Sequence, residues 1–392
     1  MDRLSVYIHI PFCIKKCAYC DFLSAAPKGS EMQTYKNALI YQIRSLAKLA
    51  SEYDVYTVFI GGGTPSIYPS EDISDILFEL ENSFEKVRRG SYKPVEITIE
   101  CNPGTLDYNK LKNYRLAGIN RLSMGLQSAD NDELKLLGRI HTYESWEKEV
   151  DHALRAGFTN INTDLISGLY NQSLDKFATS LEKVERHGMK HISVYSLIIE
   201  EGTPFYEKYS VDRLSDEEYE KWEEEDRRIY DYTREFLAAN GFRQYEISNY
   251  AKPGYECLHN LVYWNRGDYI GIGIGAASMI HNIRFSTISS LLDYISLNEK
   301  ACDRYFEKIF NDVSRLSTNE QMNESIMLGF RKNDGIDLES FDTKFSTSFL
   351  EKYKEQVCKW REEGMLKVEG GRVYLTEKGQ SISNMIIVDF MD

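Results

Sequence analysis

Three cysteines, Cys13, Cys17 and Cys20, stand at C-x3-C-x2-C spacing directly after the apolar run Leu4–Ile10. No other feature restricts the fold as strongly, because three thiols this close must be organised around one group. A four-iron cluster is usually held by four cysteine thiolates. This claw offers three, and the next cysteine in the chain is Cys101. One iron would then lack a protein ligand, and an open coordination position is where small molecules bind and react. A structural zinc site is the competing reading. It needs four closed ligands, which His9 or Asp21 would have to complete, and this spacing is not a common zinc spacing. The other cysteines, Cys101, Cys257, Cys302 and Cys358, are far apart. That argues against a disulfide framework and for a reducing compartment, with the cytoplasm expected.

Strand-like and helix-like runs alternate from residue 4 to about 200. The strand runs are Leu4–Ile10, Val55–Ile60, Val95–Glu100, Asn120–Met124, Asn160–Ile166 and His191–Leu197. They are rich in Val and Ile, as parallel strands covered on both faces tend to be. Helical periodicity lies between them at about 31–50, 71–88, 106–116, 143–156 and 173–187. Six β/α units in series predict an α/β fold, a parallel partial (β/α)6 barrel whose site gathers at the C-terminal strand ends. The special residues obey that rule: the claw follows the first strand, Gly61–Pro65 the second, and Glu100 ends the third. Gln127 follows the fourth, Asp164 lies late in the fifth, and Tyr195 and Ser196 end the sixth.

The expected organisation is a core over 1–210, an extension over 211–310 and a C-terminal module over 311–392. Residues 210–240 read as one long helix opened by a capping box from Ser215 to Glu218. The acid run Glu223–Asp226 is expected to be its solvated face. From about 315 the β/α alternation stops, and Glu363–Gly379 reads as a hairpin closing a winged-helix-like α+β module. That module carries more acid than base, and the whole chain has a formal net charge of -14. Both repel phosphate backbones, so no nucleic-acid partner is expected. No apolar run is long enough for a membrane helix, and the N-terminus has no signal-peptide layout.

The glycines of Gly61–Pro65 let the backbone approach a ligand and present its N–H and C=O groups. Glu100, Gln127, Arg139 and Asp164 supply carboxylate, amide and guanidinium groups near the strand ends. Carboxylates suit sugar hydroxyls, and the Arg fork suits a carboxylate. Each alone is as well read as a cap, a loop hydrogen bond or an ion pair.

The claw and these strand ends together resemble the radical S-adenosylmethionine (SAM) enzymes. The segments Tyr7–Cys13, Phe59–Ser66, Glu100–Thr105, Ser123–Ser128 and Leu137–His141 narrow the likeness to the coproporphyrinogen-oxidase-like branch. So do Asn162–Leu169, Tyr195–Pro204 and Tyr245–Tyr250, and the likeness covers essentially the whole chain. It implies a [4Fe-4S] cluster on Cys13, Cys17 and Cys20 whose open iron takes SAM, with reductive SAM cleavage as the chemistry the chain is in principle capable of. It also implies a SAM site lined by Tyr7, Tyr19, Gly62, Gly63, Thr64, Glu100, Gln127, Arg139 and Asp164.

Within that branch, oxygen-independent coproporphyrinogen III oxidases carry a further Cys two residues after the claw, where this chain has Phe22. They also carry a longer arm before the claw. The heme-chaperone group instead shows His-Asn-x-x-Tyr-Trp, which stands here as His259–Trp264. The chain is therefore most similar to that group, which implies heme as a ligand and His259 as a heme-binding residue. A neutral imidazole near its ordinary pKa of about 6.5 would ligate iron beside aromatic surface. The alternative is a core histidine satisfied by hydrogen bonds. The resemblance also implies an electron donor such as flavodoxin or ferredoxin, a client heme protein, and peripheral membrane contact only through clients. One departure is Tyr170–Asn171, where relatives often have Pro-Gly.

Overall fold

The structure, a computed structural model, describes residues 2–84, 95–296 and 308–391. Cys302 and the end of the helix expected over 71–88 lie outside the described residues. Six strands in chain order form the heart of the molecule: β1 (Asp2–Ile10), β2 (Tyr53–Gly62), β3 (Glu96–Cys101), β4 (Arg121–Gln127), β5 (Asn160–Ser167) and β6 (His191–Ser196). Each pairs in parallel with the next. The connections carry helices α1 (Glu31–Ala50), α2 (Ser70–Ser83), α3 (Tyr108–Leu116), α4 (Asn131–Leu136), α5 (Tyr143–Arg155) and α6 (Leu174–Arg186). All six expected strands and all five expected helices are present, with ends moved by a few residues.

The sheet is wider than the sequence reading. After α7 (Pro204–Tyr209) and the long α8 (Asp216–Ala239) come β7 (Arg243–Glu246), β8 (Asn249–Ala251), α9 (Leu258–Trp264), β9 (Tyr269–Ile272), β10 (Ala277–Ile280), β11 (Ile283–Thr287) and β12 (Phe310–Arg315). The strand order is β12-β11-β10-β9-β1-β2-β3-β4-β5-β6-β8-β7. β9 joins β1 in parallel, while β10–β12 and β7–β8 extend the two edges antiparallel. β7–β11 are only three to five residues long, which is why periodicity passed over them.

The two faces of the sheet differ. In β4, Leu122, Met124 and Leu126 are fully buried in the main apolar core. The alternate residues Arg121, Ser123, Gly125 and Gln127 face a cavity. In β5, Asn162, Asp164 and Ile166 face the same cavity, and in β6 so do Ser193 and Tyr195. Side chains alternate across a strand, so one face packs on helices while the other presents polar groups inward. The expectation of strands apolar on both faces is corrected here: the concave face is largely polar because it lines a site.

The predicted capping box is present, with Ser215 accepting from the Glu218 N–H and Glu218 from the Ser215 N–H. The acid run is only partly solvated. Glu223 and Glu224 are exposed, but Glu225 accepts the Leu174 N–H at 2.7 Å and Asp226 accepts the Ser196 hydroxyl at 2.6 Å. Half of that run therefore ties α8 to α6 and to the end of β6. Residues 318–390 build a second apolar cluster from helices, the hairpin Leu366–Glu369/Arg372–Leu375 and the short strand Ile336–Asp337.

Candidate functional site

One cavity of about 520 Å³ lies at the C-terminal ends of β1–β6. Its wall includes Cys13, Cys17, Cys20, Tyr7, Tyr19, Gly62, Gly63, Thr64, Glu100, Gln127, Arg139 and Asp164. It also includes His259, Asn260 and Tyr263 from α9. All thirteen residues named from the sequence as cofactor or metal candidates thus border a single space.

The three thiols are partly buried, and two have side-chain polar partners. The Thr64 hydroxyl donates to the Cys13 sulfur at 3.4 Å, and Arg139 Nη1 donates to the Cys17 sulfur at 3.4 Å. Such donors favour thiolates, the form that binds metal. Among the described residues, no three of His, Cys, Asp and Glu converge on one point as ligands of a single ion would. A four-iron cluster on three thiolates gives each its own iron and leaves one iron without a protein ligand, whereas structural zinc wants four closed ligands.

The Gly-rich segment packs tightly under the claw. Gly63 and Thr64 donate their N–H groups to the carbonyls of Ile10 and Phe12, each at 2.8 Å. Gly62 has φ +109°, and a Cβ there would sit 2.4 Å from the His9 ring. A Cβ on Gly63 would meet the Phe12 carbonyl at 2.7 Å. Only glycine fits either position.

Asn102 links the two halves of the site, donating to the Thr64 hydroxyl at 2.7 Å and accepting from Arg139 Nη2 at 2.6 Å. Arg139 Nη2 also donates to the Gly125 carbonyl at 2.6 Å. Gln127 has φ +74°, a left-handed conformation rare for a residue with a Cβ, at the β4–β5 register shift. Such backbone costs on the order of 1–3 kcal/mol and is tolerated where the surroundings fix it.

Glu100 accepts the Gly62 N–H at 3.0 Å. Burial and the neighbouring Asp164 push its carboxyl up to about 7. Asp164 accepts from Asn162 at 2.8 Å and Ser123 at 3.3 Å, and burial raises its pKa too. Burial likewise raises the hydroxyls of Tyr7 and Tyr19. The Tyr7 hydroxyl is 3.0 Å from His9 Nδ1, and Tyr19 meets Phe205 edge-on at 6.5 Å.

His259 does not stand apart from this chemistry. It is 1% exposed, and its ring stacks on Phe59 at 5.1 Å. Nδ1 lies 2.8 Å from the Thr57 hydroxyl and Nε2 lies 2.9 Å from the Tyr263 hydroxyl. Burial, and after it the Arg121 charge, pushes its pKa down to about 3. The imidazole is neutral, as expected from the sequence, but both nitrogens already have partners. The ordinary pKa of the sequence reading is corrected to this much lower one.

Sequence reasoning missed Arg121, which is 1% exposed. It lies within the electrostatic reach of Cys257, Glu96, Tyr245 and Asp164. The signal was a charge inside an apolar strand run. Asn102 was visible in its motif but had no assigned part.

The fold and the site define a radical SAM protein: a radical SAM superfamily model matches residues 7–184 and a HemN C-terminal domain model matches residues 316–382. Across its full length the chain belongs to the HemW family within that superfamily. It is 33% identical to the heme chaperone HemW of Lactococcus lactis subsp. lactis (strain IL1403), over 99% of this chain and 97% of the relative. It is 40% identical to the heme chaperone HemW of Escherichia coli (strain K12), over 70% of each. Coproporphyrinogen III oxidase (HemN) from Escherichia coli shares the fold, with a TM-score of 0.82 at 23% identity, over 99% of this chain and 90% of that one. Membership of the superfamily implies a [4Fe-4S] cluster and SAM. Among the described residues no helix is long and apolar enough to cross a membrane.

Proposed function

We propose that this chain is a cytoplasmic heme chaperone that carries a [4Fe-4S] cluster on Cys13, Cys17 and Cys20, binds SAM beside it, and passes heme to client respiratory proteins. The observation that carries the reading is that the claw and His259, Asn260 and Tyr263 of the His259–Trp264 motif border one cavity. The names of the relatives, heme chaperone HemW, point the same way.

When bound, a cluster with an open iron supplies one electron to the sulfonium of SAM, drawn from a donor such as flavodoxin or ferredoxin. The chain's own residues do the rest. Thr64 and Arg139 hold two of the thiolates. Glu100 keeps one oxygen on the Gly62 N–H, which leaves the other for a ligand hydroxyl. Asp164 is anchored by Asn162 and Ser123 and offers a second acceptor. Gln127, Tyr7 and Tyr19 complete the wall of the SAM site. His259, Tyr263 and Trp264 form the heme-binding segment.

For His259 to reach iron, its Nε2 must leave the Tyr263 hydroxyl. Exchanging one hydrogen bond for a metal bond is feasible, because neutral imidazole is the ligating form. The test is an anaerobic Soret titration with heme on wild type and His259→Ala, with His141→Ala, His187→Ala and His281→Ala as controls. The reading expects a shifted or bleached band in His259→Ala alone. A wild-type spectrum in His259→Ala, with a change in one control, would assign the ligand elsewhere.

A further inference from the structure

If heme is the ligand, the His259 ring is poorly placed to meet it first. The ring is 1% exposed, one face is covered by Phe59, and both nitrogens are engaged. The mouth of the cavity presents the opposite situation. Phe22, on the loop after the claw, is 64% exposed; Tyr195, late in β6, is 41% exposed and Ile198, on the segment leaving that strand, is 72% exposed. All three border the same cavity. Large apolar groups left in water on two separate segments around one opening mark an interaction site.

The charges around this opening narrow the ligand. Lys15 and Lys16 line the cavity on the claw side, and Lys16 Nζ donates to the Phe22 carbonyl at 3.1 Å. Asp21 and Glu200 line it as well. Counting the deeper groups, four cations (Lys15, Lys16, Arg121, Arg139) face four carboxylates (Asp21, Glu100, Asp164, Glu200). Apart from the claw thiolates, the lining therefore carries no formal net charge, in a chain whose total is -14. An anion meets less repulsion here than over the chain as a whole, and the lysines stand next to the apolar groups.

We propose that Phe22, Tyr195 and Ile198, with Lys15 and Lys16, form a docking rim for a flat apolar dianion, namely a porphyrin ring bearing two carboxylates. The inference rests on the heme reading above and deepens it. The macrocycle faces lie on the apolar side chains, where aromatic and aliphatic contact needs no metal. The carboxylates lie toward the two ammonium groups, whose long flexible stems follow them. Capture at the rim precedes any contact between iron and His259.

The experiment compares three probes on the full, cluster-loaded chain: metal-free protoporphyrin IX, its dimethyl ester, and hemin, followed by porphyrin fluorescence or absorbance. Protoporphyrin IX is expected to bind saturably, and the ester about ten-fold more weakly or worse. Ile198→Asp and the double variant Lys15→Gln/Lys16→Gln should each weaken protoporphyrin IX by about ten-fold or more. Circular dichroism and iron content on each preparation report that the fold and claw are intact. Ile198 is exposed, so its substitution tests contact rather than folding. Hemin binding without protoporphyrin IX binding would show that iron ligation holds the ligand, overturning the rim while the heme reading stands. An ester that binds as tightly as the acid would overturn the lysine contact. If neither hemin nor protoporphyrin IX binds, the heme reading falls together with the rim.

Discussion

His259 Nε2 and the Tyr263 hydroxyl lie 2.9 Å apart, one helical turn from each other on α9, and both residues line the cavity that holds the cysteine claw. The pair joins the C-terminal half of the chain to the N-terminal strands, since Nδ1 of the same ring reaches Thr57 on β2. In sequence the motif lies beyond the six parallel strands, in the extension expected over 211–310, yet in space it borders their site. The ring stacks on Phe59 and approaches Tyr7 at 6.5 Å, so removing it disturbs the SAM-side wall. His259→Ala is therefore expected to weaken SAM as well as heme, measured by calorimetry on cluster-loaded protein.

Heme binding should not show the usual histidine titration. With a folded pKa of about 3 for His259, affinity should stay flat as pH falls through 6.5. The linkage appears in stability instead. Between about 6.5 and 3 the unfolded chain binds a proton at this site that the folded chain does not, so stability falls as pH falls across that window. Its slope is at most about 1.4 kcal/mol per pH unit for one residue. Urea unfolding from pH 7.5 to 5 should show a shallower pH dependence in His259→Asn than in wild type. Equal slopes would mean that the ring titrates in the native state.

SAM affinity should itself depend on pH near neutrality. Glu100 has a pKa of about 7 and accepts best when ionised, so affinity should fall as pH drops through that value. Glu100→Gln should be weaker at high pH and nearly pH-independent. Glu100→Ala and Asp164→Ala should each lose about 1.5–3 kcal/mol of binding. Unchanged affinity in both alanine variants, with the fold intact, would misplace the SAM pocket.

Iron content should follow the claw. Cys13→Ala, Cys17→Ala or Cys20→Ala should abolish a cluster of about four irons and four sulfides after anaerobic reconstitution. Cys101→Ala and Cys358→Ala should keep it, since Cys101 is buried in the apolar core and Cys358 is exposed on the C-terminal module. A triple claw variant that retained its iron would refute the assignment.

Arg121→Met should destabilise the fold. It leaves Glu96 and Asp164 facing a wall without its buried cation, and breaking such an arrangement costs about 3–5 kcal/mol. Chemical denaturation of the apo chain measures this without any cofactor.

Much of this was legible because the chemistry and the periodicity are local. The claw lies within one loop, and Ile, Val and Leu at alternate positions of β1, β2 and β4–β6 announce strands whatever lies opposite. What stayed hidden depends on distant partners. Arg121 reads as an ordinary charge until β3 and α9 close over it. Glu225 and Asp226 look solvated until α6 and β6 come to them. β12 was missed because its residues after Phe310 are exposed, leaving no apolar pattern to read. The place of His259 rests on a contact with Thr57 across 202 residues, which no local pattern encodes.

The most direct test of the account is one anaerobic preparation, reduced and supplied with SAM, mixed in turn with heme and with coproporphyrinogen III. The account predicts a shifted Soret band with heme and no decarboxylated product from coproporphyrinogen III. Vinyl or tricarboxylic product, with no heme bound, would contradict it and make the chain a coproporphyrinogen oxidase.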